Sequence, residues 1–221
     1  MFTTVRVIGA GRVGLALSAR LRERGVALSD GDAELVLLCV PDGAIAEVAR
    51  ELEPGPWVAH VSGATRLGAL DPHARRFSLH PLQTFVRERG PEQLDGAWAA
   101  VSAETDEALA RATELARLLG LRPFSLADAA RPAYHAGAAL ASSYLVTLHR
   151  AAARLVEAAG APAEALVPLM QRTIENGFLP TGPIVRGDFA TMDAHLEAIA
   201  AAAPELEPLY RALADAERAA A

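Results

Sequence analysis

The sequence predicts an α/β fold: a Rossmann-like, mainly parallel sheet followed by an all-helical C-terminal domain. Three observations carry this. Short apolar or β-branched runs alternate with helical periodicity through the first half. A G-x-G-x-x-G spacing follows the first of these runs directly. Near Asp128 the pattern becomes helical throughout. The expected division is 1–127 for the dinucleotide-type domain and 128–221 for the helical one, which would hold substrate and pair subunits.

The strands expected are 5–8, 35–40, 57–61, 77–79, 98–101 and 122–126, with helices over 13–24, 45–52 and 106–119 between them. Gly25 and Gly120 each follow a helix, where a left-handed cap favours glycine, and Asp42 sits where an N-cap is needed for the second helix. From Pro132 one long helix is expected to run to Ala159, opened by proline and stopped by Gly160. Its apolar stripe includes Tyr134, Ala138, Leu145 and Leu155, read as core or subunit-seam residues. Further helices are expected over 163–175, 191–201 and 204–219.

Composition excludes several chemistries. All 21 basic residues of the 221 are arginine, so Schiff-base chemistry, a phosphate-binding P-loop lysine and a lysine general acid are absent. A formal net charge of -6 disfavours nucleic acid and anionic membrane as partners. The single cysteine, Cys39, forms no internal disulfide and fits a reducing compartment. No signal-peptide pattern or bilayer-length apolar run is seen, so a soluble cytoplasmic protein is expected.

The chemistry begins at VRVIGAGRVG, where Gly9, Gly11 and Gly14, with Arg12 and Val13, open the first helix. The first glycine permits the turn, the second lets backbone approach a pyrophosphate, and the third allows close helix–strand packing. Asp30, 19 residues after Gly11, is the candidate for the adenosine ribose. No arginine beside it would take a 2′-phosphate, so NAD is preferred over NADP. The segment 26–34 leaves room only for a stub of a second strand, which leaves the adenosine half of the site short.

Other polar clusters fall at the ends of expected strands: Pro41 and Asp42, HVSGA with His60 and Ser62, and SLHPLQTF with His80 and Gln83. Ligands of such sheets sit beyond the carboxyl ends of strands. Further along are YHAGAALASSY with His135, Ser142 and Ser143, and TGPIVRGD with Arg186 and Asp188, followed by His195. Asp188 also suits a helix cap. No metal site is expected: His135 and His149 would stand about 21 Å apart on an ideal helix. No G-x-S-x-G, H-E-x-x-H or C-x-x-C is present, which removes hydrolase and metalloenzyme readings.

Together the segments VIGAGRVG, LLCVPDGAI, HVSGA, SLHPLQTF, YHAGAALASSYLVTL and TGPIVRGD with His195 resemble a bacterial family. It is the family of Rossmann-like proteins with a C-terminal helical domain of unknown function, in the wider group of ketopantoate reductase, pyrroline-5-carboxylate reductase and deazaflavin-dependent NADP oxidoreductases. The resemblance implies a nucleotide-binding fold, a homodimer through the C-terminal helices and oxidoreductase activity, with no substrate specified. Where such relatives place a catalytic lysine and asparagine on the long helix, this chain has His135 and Ser143. The expectation is therefore an NAD(P)-dependent reductase or dehydrogenase of a small polar or anionic substrate. The dinucleotide would lie over Gly9–Gly14 with its nicotinamide near Pro41, Asp42 and Ser62. His135, then His80, would donate the proton, Ser143 would hydrogen-bond substrate, and Arg186, with Asp188 and His195, would clamp a carboxylate. The alternative is a nucleotide-binding or regulatory protein without turnover.

Overall fold

The computed structural model describes residues 1–220 and divides into two compact units, Met1–Leu140 and Ala141–Ala221. The first unit is built on a seven-stranded sheet. Along the chain come β1 (Thr4–Ile8), α1 (Arg12–Glu23), β2 (Ala27–Leu28), β3 (Leu35–Leu38), α2 (Ile45–Arg50) and β4 (Trp57–His60). Then follow β5 (Arg76–Leu82), β6 (Trp98–Ala103), α3 (Asp106–Leu118), β7 (Arg122–Ser125) and α4 (Arg131–Ala141). The strands lie in the order β2-β1-β3-β4-β5-β6-β7, all neighbours parallel except β5 and β6. Chain order runs outward in both directions from β1 and β3, so the crevice between those two strands is the topological switch point.

Alternation along the strands sorts the core into two layers. On one face Leu35, Leu37, Trp57, Ala59, Phe77, Leu79, Ala99 and Val101 pack with Leu17 and Leu21 of α1 and Ala112 and Leu115 of α3. On the other, Val36, Leu38 and Val58 pack with Ile45 and Ala49 of α2 and with Leu70. Both faces of a parallel sheet must be covered, and the apolar runs of β3 and β4 are buried at every position for that reason. As expected, β2 is a stub. Only Ala27 and Leu28 pair with β1, and the chain then crosses to β3 through residues 29–34.

The second unit comprises α5 (Ser143–Ala158), α6 (Leu166–Glu175), α7 (Phe189–Ala202) and α8 (Glu207–Ala220). Its buried residues are Met192, Ile199, Ala203 and Ala214, whereas α5 and α6 bury none. Among the described residues no helix is long and apolar enough to cross a membrane.

Three expectations are corrected. The long helix is two: it breaks at Ser142, whose φ of -123° and ψ of -78° lie outside helical geometry, between α4 and α5. The units divide after Leu140, and Arg131 ties α4 to the loop after β4. Asp42 does not cap α2 with its side chain. It opens a 3-10 turn that leads into the helix, so the carboxylate is left exposed. His80 lies inside β5, not past it, because the antiparallel partner β6 extends that strand to Leu82 and pairs His80 with Ala100.

Candidate functional site

The glycine loop matches its sequence spacing glycine by glycine. Gly9 has a φ of +114°, and a Cβ there would strike the Cys39 carbonyl at the end of β3. At Gly14 a Cβ would strike the Gly9 carbonyl, so this glycine is what allows α1 to sit against the turn. Gly11 is different. It precedes α1 as its N-cap with extended backbone, and a Cβ would meet nothing within 4 Å. The loop thus presents open space at the N-terminus of a twelve-residue helix with no acidic residue in its first turn. That is the geometry and polarity an anionic pyrophosphate requires. Arg12 is exposed and Val13 half-buried, and Asp30 is exposed just beyond β2. Burial pushes the Cys39 thiol up to about 12, so it stays protonated beneath the turn.

A buried polar row crosses the sheet beyond the apolar layer of α2. His60, Ser78 and Ser102 stand opposite one another on β4, β5 and β6. All three are buried, and so is Arg131, the first residue of α4, which is 0% exposed. The Arg131 fork donates from one terminal nitrogen to the Ser62 carbonyl at 2.8 Å and the Gly63 carbonyl at 3.4 Å. From the other it donates to Ser102 Oγ at 3.1 Å. Its Nε lies 3.2 Å from Asp128 Oδ1, an ion pair without hydrogen-bond alignment, and that oxygen also accepts the Leu67 amide at 3.0 Å. One guanidinium therefore fixes the start of α4 to the loop after β4.

That loop is tied internally as well. The Ser62 amide donates to His60 Nδ1 at 3.2 Å, which leaves the imidazole proton on Nε2, a buried atom without a hydrogen-bond partner. Ser62 Oγ accepts the Ala64 and Thr65 amides and bonds Thr65 Oγ1 at 2.9 Å. Its hydroxyl is thus committed to the turn.

Above this floor sit His80, Tyr134 and His135. His80 Nδ1 and the Tyr134 hydroxyl are 2.7 Å apart, and their rings meet edge to face. The His80 and His135 rings also meet edge to face, with centroids 6.2 Å apart. Gly63 lies under both: a Cβ there would come within 2.7 Å of His135 Cδ2 and 2.9 Å of His80 Nε2. Burial, then the charges of His135 and Arg131, hold His80 down to about 4, against the pull of Asp42. His60 is lowered to about 3 by burial and then by Arg131 and His80. Tyr134 is pushed up to about 12 by burial, which Arg131 opposes. At neutral pH the His80–Tyr134 pair is uncharged.

The structure thus brings together Ser62, His80 and His135 from the expected set and adds Arg131, Gly63 and Tyr134. Tyr134 had read as a core residue. The available signal was RPAYH itself: Arg131, Tyr134 and His135 at i, i+3 and i+4 share one helix face in an alanine-rich stretch. Four expected substrate-site residues, Ser143, Arg186, Asp188 and His195, lie in the second unit. Ser143 is exposed at the start of α5. Arg186 donates to the Thr181 carbonyl at 2.7 Å. Asp188 caps α7 through the Thr191 amide and hydroxyl, bonds that hold its carboxyl below the usual range. His195 bonds the Tyr210 hydroxyl at 2.8 Å.

The chain belongs to the family of the domain of unknown function DUF2520, whose model matches residues 97–217, and a Rossmann-like domain model matches residues 24–84. No curated protein matches the sequence. The fold is similar to that of a "putative NADP oxidoreductase" from Bacteroides fragilis, with a TM-score of 0.82 at 20% identity over 98% of both chains. It is also similar to a protein from Thermotoga maritima, with a TM-score of 0.72 at 22% identity over 97% of this chain and 99% of that one. A reductive aminase from Aspergillus terreus, solved with NADPH and ethyl levulinate, matches with a TM-score of 0.65 at 17% identity over 97% and 92%. At these identities the likeness is one of fold.

Proposed function

We propose that this protein is a nicotinamide-dinucleotide-dependent oxidoreductase acting on a small polar substrate. The observation that carries the reading is the presence, in one unit, of an open glycine loop at the switch point and an uncharged histidine–tyrosine pair between β5 of the same sheet and α4. Gly9, Gly11, Arg12, Val13 and Gly14 would cradle the pyrophosphate, Asp30 the adenosine ribose, and Pro41 and Asp42 the approach to the nicotinamide. When bound, the dinucleotide supplies or removes hydride. The protein's own part is proton handling by His80 and His135, in a site whose floor Arg131 and Ser62 keep rigid. The carboxylate of Asp30 disfavours a 2′-phosphate and so favours NAD, whereas one similar fold is that of a "putative NADP oxidoreductase" and another was solved with NADPH.

Thermal unfolding with NAD, NADH, NADP and NADPH tests this. A ligand specific for the folded state adds about 2.7 kcal/mol at 100 times its Kd. The Gly11→Ala variant gains a methyl in open space, so its own melting temperature stays unchanged while the nucleotide shift is lost. Absence of a shift with all four nucleotides at millimolar concentration overturns the reading. It would favour a binding or regulatory role for another ligand, the alternative that the two-residue β2 supports.

We also propose that two copies pair through the second unit. Leu169, Ile174, Phe178 and Leu179, on α6 and just after it, are more than half exposed, and exposed apolar side chains of this kind suit a subunit contact. Light scattering should give a dimer mass, and Leu169→Glu with Ile174→Glu a monomer. A monomeric wild type refutes the pairing.

A further inference from the structure

The contact between His80 and Tyr134 can be made in two ways, with opposite chemical consequences. Either the phenol O–H donates to Nδ1 and the imidazole proton sits on Nε2, or Nδ1–H donates to the phenol oxygen and Nε2 is left a bare acceptor. Both partners are neutral, so their intrinsic strengths decide. The imidazole lone pair is the stronger acceptor and the phenol the stronger donor. The first arrangement matches better donor to better acceptor at the observed 2.7 Å.

Geometry then sets what the other ring nitrogen faces. Nε2 of His80 lies against Gly63, where a Cβ would come within 2.9 Å of it, so the glycine is what lets the His80 and His135 rings sit this close. Gly63 is not free to drift, because Arg131 holds both its carbonyl and that of Ser62. Arg131 also stands one turn before Tyr134 on α4, and its charge favours a phenolate at that position.

We propose that Tyr134 is a positioning residue that locks the His80 proton on Nε2, so that His80 offers an N–H donor over Gly63 to an oxygen with free lone pairs, the carbonyl oxygen of a substrate. This substrate class rests on the oxidoreductase reading; the lock itself is a property of the free protein. On reduction of a carbonyl the relay balances. As the carbonyl carbon takes hydride from a reduced nicotinamide dinucleotide and the C=O π bond opens, the Nε2–H bond breaks and the new O–H bond forms, the Tyr134 proton moves to Nδ1, and the phenolate takes a proton from water. His80 ends as the other neutral tautomer and never becomes an imidazolate. Oxidation of the alcohol runs the same steps in reverse.

Long-range proton–nitrogen NMR of the full chain labelled with 15N-histidine, without ligand, reads the tautomer directly. His80 is assigned by the signal lost in His80→Gln. The expected result near neutral pH is a single His80 tautomer protonated on Nε2, and a mixture of both tautomers in Tyr134→Phe. A wild-type His80 protonated on Nδ1 overturns the proposal, as does an unchanged tautomer pattern in Tyr134→Phe. The wild-type spectrum decides even if that variant fails to fold. Because no nucleotide is added, failure here is distinct from failure of the nucleotide shifts.

Discussion

The two faces of the sheet are covered alike and filled differently. Under α1 and α3 the buried strand residues are apolar, from Leu35 and Leu37 to Ala99 and Val101. The opposite face is apolar only under α2. Beyond it the strands contribute His60, Ser78 and Ser102, and the covering helix contributes a fully buried arginine. A dry face needs only shape and volume, and many sequences satisfy it. A buried polar row is stable only when its donors and acceptors are matched, so it specifies which atoms meet. The fold is held by the first face and the site is placed by the second.

Replacing one residue on each face should separate these roles. Arg131→Met leaves Asp128 and two loop carbonyls without their cation, a loss of about 3–5 kcal/mol. Leu37→Ala on the dry face opens a cavity at a similar cost, about 2–5 kcal/mol. Urea unfolding should show both losses, while histidine NMR signals should move only in the arginine variant. Equal disturbance of His60 and His80 by Leu37→Ala would erase the distinction.

Acid should act on the polar face. His60 and His80 are held at about 3 and about 4 in the folded state, against an ordinary value of 6.5. Between about pH 6.5 and pH 4 the unfolded chain binds protons that the folded chain refuses, so stability falls as pH falls. The slope is up to about 1.4 kcal/mol per pH unit for each histidine. Denaturation midpoints across that range should decline, and less steeply in His80→Gln. A profile unchanged by His80→Gln would show that its burial is not linked to folding.

A smaller effect is expected at Gly63. A methyl there meets the edges of two imidazoles, so Gly63→Ala should cost about 1–3 kcal/mol and displace the His80 and His135 resonances. Unmoved resonances would mean that the rings do not rest on the glycine.

Much of this was legible in the sequence. The glycine spacing marked the turn after β1, the alternating runs marked six strands, and the short 26–34 segment marked the stub of β2. Gly25, Gly120 and Gly160 terminate helices with positive φ as their positions suggested. The HVSGA motif pointed to the carboxyl end of β4, where His60 closes the strand. What stayed hidden was which partners they meet. Tyr134 looked like one more stripe residue, and Arg131 carried no signal of burial until its helix face was read together with the loop after β4.

The sequence by itself determined the order of elements and the glycine loop, because strand alternation, helical periodicity and glycine turns are local and repeat within a few residues. It also determined that no lysine takes part in any chemistry here. Only the tertiary structure decided that His80 meets Tyr134, 54 residues away, and that Arg131 clasps Ser62 across 69. It alone also decided that the expected long helix breaks at Ser142. Such pairings depend on which strands become neighbours and which helix face is turned inward, and no local period records either.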